Sequence, residues 1–172
     1  MVFRNFTDFI IKTKPPINVL ARLDLLRELT EDDEYHPEAN VFEHIKIVTE
    51  RLIPIMDINL IMTGCLHDLF KHDAKRFSDT GDAYTCFGHE VLAANFIQTN
   101  REIRDWITRF GGDVDLVENL CRDHMRIHYL DEMRPAKRNR LVGSTHFKKL
   151  SIFTLADDMR SDFDPRPYMT KR

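Results

Sequence analysis

Apolar residues recur along most of this chain every three or four positions, the spacing of a helical face turned toward a core. After Pro15-Pro16, a favourable helix entry, Val19, Leu20, Leu23, Leu26 and Arg27 predict a short amphipathic helix that ends near the acidic cluster Glu31 to Glu34. Val41, Ile45, Val48 and Leu52 predict a second over about residues 37–55. The third, about 57–71, is apolar nearly all round, as a helix at the centre of a bundle would be. Helices are then expected over about 88–98, 101–110 and 113–128, with Gly111-Gly112 as the stop between the last two. Pro135 is expected to break the next stretch, and a final helix covers about 145–162. The segment 73–87, with Ser78, Asp79, Thr80, Gly81 and Asp82 clustered, reads as a loop or lid, and the tail with Pro165 and Pro167 as extended chain.

Strand signals are weak. Only six glycines occur, and no Asn-Gly or Asp-Gly turn separates two alternating apolar runs. The pattern therefore predicts an all-α fold, a bundle of about six to eight helices. No repeat, low-complexity tract or linker divides the 172 residues, so one domain is expected, with its core over about 20–162. The N-terminal segment and the tail are expected to be peripheral. In that segment Phe3, Phe6, Phe9, Ile10 and Ile11 either cap the core or meet another subunit, and the cap is preferred; monomer and homodimer both stay open.

A chain of this length buries roughly 70% of its unfolded surface and needs no disulfide or structural metal to fold. With 42% hydrophobic and 31% charged residues it is an ordinary globular composition, too apolar for wholesale disorder. No apolar run is long enough for a membrane span, and the first residues lack the pattern of a signal peptide, so a cytoplasmic location is expected. Cys65, Cys86 and Cys121 are odd in number and far apart, which argues for reduced thiols rather than disulfides or a zinc knuckle. The net charge of −3 does not suggest a nucleic-acid coat, although the basic segment Arg134 to Arg140 reads either as a solvated turn or as a surface facing a polyanion.

The chemistry is expected where histidines and carboxylates fall on inward faces. His44 lies between Val41 and Val48, His67-Asp68 follow the apolar run 60–66, His124 lies four after Leu120, and Asp157 four after Phe153. A buried carboxylate is costly unless it is paired or bound to a cation. Inward His and Asp residues together therefore read as metal ligands. Mixed nitrogen and oxygen donors suit Mn, Fe, Co, Ni or Zn better than calcium, with Mg as a further option; one ion is expected and a second is left open.

The order His44, His67-Asp68 in CLHDLFKHD and Asp157 in LADDMRSD resembles the H…HD…D signature of HD-domain metal-dependent phosphohydrolases. YHPEANVFEHI, CFGHE and LCRDHM resemble the HD modules attached to bacterial CCA-adding tRNA nucleotidyltransferases and to RNA end-healing enzymes. The resemblance spans roughly Leu20 to Asp162 and departs at Phe70, where many members carry glycine; a bulkier residue there is expected to narrow the pocket.

The resemblance implies that His44, His67, Asp68 and Asp157 hold a cation that acidifies water and polarises a phosphoryl oxygen. It implies that Asp68 is also a candidate to orient or deprotonate the nucleophile. His89 and His124 match positions that ligate a second metal or contact phosphate as charge stabilisers or acids. Lys71, Arg126 and Arg160 are the cations nearest these motifs that would hold a phosphate, with solvated surface charge as the alternative. Of the adjacent pair, Asp157 fits the motif better than Asp158. His36 and His72 are read as exposed residues, and nothing but proximity in sequence favours His128 or His146.

The expected activity is hydrolysis of phosphoester bonds in nucleotides or RNA ends: a cyclic phosphodiester, a 2'- or 3'-phosphate, or a nucleoside monophosphate. The alternatives are a dNTP or dNMP phosphohydrolase and a non-catalytic, metal-bound nucleotide-sensing module. Gly143-Ser144 leads only to Thr145-His146-Phe147, without the carboxylates of a nucleotide-transfer motif, and no P-loop is present.

Overall fold

The computed structural model describes residues 2–30, 40–77 and 84–169. Those residues form an all-α fold with ten α-helices, more than the pattern of apolar positions predicts. In chain order they are α1 (Phe6–Thr13), α2 (Ile17–Leu25), α3 (Val41–Leu52), α4 (Ile58–Leu66), α5 (Lys71–Ala74), α6 (His89–Thr99), α7 (Arg101–Arg109), α8 (Val114–Asp123), α9 (Pro135–Val142) and α10 (Phe147–Asp157). The acidic cluster 31–34, His36 and the tip of the expected loop at 78–82 lie outside the described residues.

Local chemistry explains most helix starts. Asn5, Asn40, Asp57, Asn100 and Asp113 each accept a hydrogen bond from a first-turn amide of α1, α3, α4, α7 and α8, which would otherwise lack a partner. Pro135, expected to interrupt a helix, instead opens α9, because the first helical position needs no amide hydrogen. The basic segment Arg134 to Arg140 is thus helical and exposed rather than a turn.

Three predicted helices end early. The third stops at Leu66, and His67 to Phe70 form a turn before α5. Helix α8 stops at Asp123 rather than continuing to 128, the chain tightening into a 3-10 stretch, Arg126–Glu132. Helix α10 ends at Asp157 because Asp158 turns extended. The expected loop carries a small antiparallel hairpin, β1 (Arg76–Phe77) with β2 (Tyr84–Thr85), and the tail a 3-10 turn, Arg166–Tyr168, instead of extended chain throughout.

The core lies where α3, α4, α6, α8 and α10 pack together. Helix α4 is buried from Leu60 to Leu66, as expected of a central helix. Its Gly64 permits close approach to α3: a Cβ there would stand 3.1 Å from the Thr49 Cα and 3.1 Å from Leu52 Cδ1. Gly64→Ala is therefore expected to destabilise the protein by roughly 1–3 kcal/mol, read as a lower urea midpoint at unchanged slope.

The N-terminal aromatic residues cap this core and are part of it. Phe3, Phe6 and Phe9 are buried, Phe9 packs against Trp106 of α7, and the Trp106 indole donates to the Thr13 carbonyl at 3.1 Å. Phe70 is also a core residue: its ring packs 5.1 Å from that of Phe96, with the Arg22 guanidinium 3.6 Å above its face. It does not line the cleft described below, so the expected narrowing does not arise from it. Cys65 and Cys121 are buried free thiols and Cys86 is half-buried; burial pushes Cys65 up to about 12, which keeps it protonated. Among the described residues no helix is long and apolar enough to cross a membrane.

Candidate metal centre

Five helices deliver their ends or inner faces to one place. His44 projects from the first turn of α3, His67 and Asp68 follow the last turn of α4, His89 opens α6, His124 caps α8, and Asp157 closes α10. His44, His67, Asp68, His89 and His124 are all buried. Their ligand-type atoms form two groups, His44-His67-Asp68 and Asp68-His89-His124, and Asp68 belongs to both.

The Asp68 carboxylate divides between the groups. Oδ2 stands 3.2 Å from His67 Nε2 and 3.5 Å from His44 Nε2, while Oδ1 stands 3.0 Å from His89 Nε2 and 3.6 Å from His124 Nε2. Asp157 completes the first group, its Oδ1 lying 3.0 Å from His44 Nε2 and 3.2 Å from His67 Nε2. The Asp158 carboxylate instead accepts from its own loop, at the Arg160 backbone amide and side chain.

Three imidazoles are oriented by one device. Each Nδ1 lies against the carbonyl three residues earlier: His67 on Gly64 at 3.0 Å, His89 on Cys86 at 2.7 Å, and His124 on Cys121 at 2.7 Å. A carbonyl only accepts, so each Nδ1 carries the hydrogen and each Nε2 is left to face the carboxylates. In the neutral rings these Nε2 atoms present lone pairs to oxygen lone pairs and, for His89 and His124 at 3.2 Å, to one another, while His44 Nε2 lies 3.4 Å from His67 Nε2 and 3.0 Å from Asp157 Oδ1. Asp68 Oδ1 correspondingly accepts no well-formed hydrogen bond although it is buried. Converging acceptors of this kind need a proton or a cation between them, and backbone-oriented imidazole with carboxylate is the donor set of a transition-metal site.

Protons partly fill that role in the metal-free protein. Burial alone would lower the His67 pKa, but the charges of Asp68 and Asp157 outweigh it and raise it to about 10. Burial lowers that of His124, with the His67 and His89 charges adding to the effect against Asp68. Asp68 and Asp157, which burial would push up, are held well below the usual carboxylate range, Asp68 by the charges of His67 and Lys71 and Asp157 by His67 and His44.

The three candidate phosphate-binding cations differ in their setting. Lys71 is buried, its Nζ 2.9 Å from Asp68 Oδ2, and so is not a solvated surface charge. Arg126 is half-exposed and pairs with Asp123 at 2.7 Å, and Arg160 is largely exposed with Asp158 3.2 Å away. All three line one cleft of about 960 Å³, together with His44, Asp68, His89, His124 and Asp157. His67, fully buried, lies behind that lining. His72 is exposed, as expected, and His128, also exposed, lines the cleft.

Sequence reasoning missed two supports. Buried Asp123 accepts from Arg126 at 2.7 Å and from His146 Nε2 at 2.9 Å, joining the end of α8 to the start of α10. Its only sequence signal is its place directly before His124 and three before Arg126. Arg51, two turns after His44 on α3, donates to the carbonyls of Ala156 and Asp158 at 3.0 Å each and so brackets Asp157. Arg51→Leu is expected to weaken divalent-ion affinity roughly 10- to 100-fold by freeing the end of α10, as a calorimetric titration of the metal-free protein would read.

Fold and site together define an all-α protein with a His/Asp cluster that resembles an HD-type metal site. No family model, curated protein or solved structure matches the chain.

Proposed function

We propose that the chain is a metal-dependent phosphohydrolase of the HD type, acting on phosphoester bonds of nucleotides or nucleic-acid ends. The observation that carries this reading is that one buried carboxylate, Asp68, is shared between two imidazole groups at the wall of a cleft. His44, His67, Asp68 and Asp157 would hold one divalent ion, and His89 and His124 with the other Asp68 oxygen a second. Such an ion supplies Lewis-acid polarisation of a phosphoryl oxygen and a lowered pKa for water.

The protein's own residues supply the rest. Asp68 and Asp157 stay ionised despite burial and so remain ligands and proton acceptors at neutral pH. Lys71 balances the Asp68 charge from within the cleft wall, and Arg126 and Arg160 offer guanidinium donors to the non-bridging oxygens of a phosphate in the cleft. His124, held neutral by burial and with its Nδ1 hydrogen on the Cys121 carbonyl, is suited to accept a hydrogen bond at Nε2 without adding a charge.

The test is phosphate or nucleoside release by metal-stripped protein re-supplied separately with Mn, Co, Ni, Zn and Mg. The substrates would be 2',3'-cyclic nucleotides, nucleoside 2'-, 3'- and 5'-monophosphates, and dNTPs. Ion-restored turnover of the first two classes is expected; turnover confined to dNTPs would move the assignment to a deoxynucleotide hydrolase. Bound ion without turnover of any substrate would overturn the reading in favour of a sensing module.

A further inference from the structure

Two features of the cleft and its surroundings play no part in holding an ion. The first is aromatic. Phe87 is 91% exposed and Tyr129 52% exposed, yet both line the same cleft as the His/Asp cluster, with Met125 and Met159. Phe87 stands directly before Gly88, whose φ of 90° turns the chain into α6, and Tyr129 sits at a kink within the 3-10 stretch Arg126–Glu132. A single exposed aromatic residue is ordinary on a protein surface, but two beside one charged cleft present flat apolar faces to whatever enters it.

The second is electrostatic. Helix α9 follows that 3-10 stretch by two residues and carries Arg134 at its cap and Lys137, Arg138 and Arg140 along it, all exposed. Arg134, Lys137 and Arg138 fall at the i, i+3, i+4 spacing of one helical face. None of the four forms an ion pair among the described residues, and Asp131 and Glu132 just before them do not neutralise them by contact. In a chain of net charge −3 this is a local cationic stripe, continuous along the backbone with the cleft rim.

We infer that the cleft takes the end of a single-stranded polynucleotide, its terminal base stacked on Phe87 and Tyr129 and its upstream phosphates running along α9. This rests on the phosphohydrolase reading and narrows its substrate from nucleotides in general to strand ends. A mononucleotide would use the aromatic faces and leave the four cations without a role. A duplex end would hide the base faces in its own stack, whereas an unpaired base offers a π-face to stack on.

The test is fluorescence anisotropy of a labelled oligonucleotide of about a dozen residues, with chelator present so that no ion-dependent cleavage occurs. RNA and DNA single strands, the blunt duplex and mononucleotide competitors are compared. The single strand is expected to bind at least about 10-fold more tightly than either the duplex or the mononucleotide, with affinity falling as salt rises. The combined variant Arg134→Gln, Lys137→Gln, Arg138→Gln, Arg140→Gln should flatten the log–log salt slope by about 0.7 for each phosphate that α9 no longer neutralises. Phe87→Ala or Tyr129→Ala should weaken binding roughly 5- to 100-fold while leaving that slope unchanged. Circular dichroism checks that each variant keeps its helices. A single strand held no more tightly than a mononucleotide, a duplex preferred, or a salt slope unmoved by the α9 variant would each overturn the inference. Strand binding by a protein that turns over no phosphoester with any ion would instead sink the hydrolase reading and leave the docking surface standing.

Discussion

Asp68→Asn is expected to remove ion binding at both imidazole groups and, with it, hydrolysis. The substitution keeps the shape of the side chain but takes away the charge that both groups share. The drop should exceed the roughly 10- to 100-fold that follows removal of an outer-shell partner, because here the shared ligand itself is changed. The metal-free protein should suffer as well: Lys71 Nζ lies 2.9 Å from Asp68 Oδ2 in a buried setting. Breaking one side of a buried ion pair costs about 3–5 kcal/mol. Adding Lys71→Met to Asp68→Asn is therefore expected to recover part of the urea midpoint without recovering ion binding. If ion content and turnover survive Asp68→Asn unchanged, the shared-carboxylate reading is wrong.

Metal uptake should release a proton, and the metal-free protein should weaken in mild alkali. His67 is raised from 6.5 to about 10 in the folded, metal-free state, so it is protonated at neutral pH and an ion must displace that proton. Apparent ion affinity is expected to rise with pH up to about 10, and calorimetry in buffers of different ionisation enthalpy reads the proton released. The stabilising effect of the raised pKa is fully present below the unfolded value and is lost as pH rises through the folded one. Between them the unfolded chain binds fewer protons than the folded one, so stability falls with pH at a slope of about 1.4 kcal/mol per pH unit. Asp68 and Asp157 act in the opposite sense: depressed when folded, they stabilise above the ordinary carboxylate range and lose that effect as pH falls. Thermal melts with and without ion should diverge as pH rises above neutrality, and coincident curves up to pH 10 would contradict the His67 assignment.

Period and burial made the helices and the inward histidines legible in the sequence. Val41, His44, Ile45 and Val48 share a face because 3.6 residues make a turn, and that face is buried. The central position of α4 followed from its lack of a polar face. The sequence favours Asp157 over its neighbour as the ligand, and the Asp157 carboxylate lies beside His44 and His67 while that of Asp158 turns to Arg160. Helix ends were the least legible part, because they are decided by contacts remote in sequence. Arg51 engages carbonyls at the end of α10 across more than a hundred residues, and the His67 turn interrupts what reads as one continuous apolar helix. The hairpin β1–β2 has only two residues per strand, too few for an alternating pattern to register. The Phe70 expectation failed because the ring turns to Phe96 and Arg22, a tertiary choice that one sequence does not encode locally. The rule that each Nδ1 meets the carbonyl three residues earlier is local, and Gly64-His67, Cys86-His89 and Cys121-His124 carry it in the sequence as a fixed spacing.

The most direct test of the centre itself is electron paramagnetic resonance of the metal-stripped protein titrated with Mn(II). A carboxylate shared by the two groups should bring a pair of ions close enough to couple, so the spectrum at saturation is expected to be that of exchange-coupled manganese, and Asp68→Asn should abolish it. A saturated spectrum of isolated ions only, or no tightly held manganese at all, would contradict a centre built on Asp68.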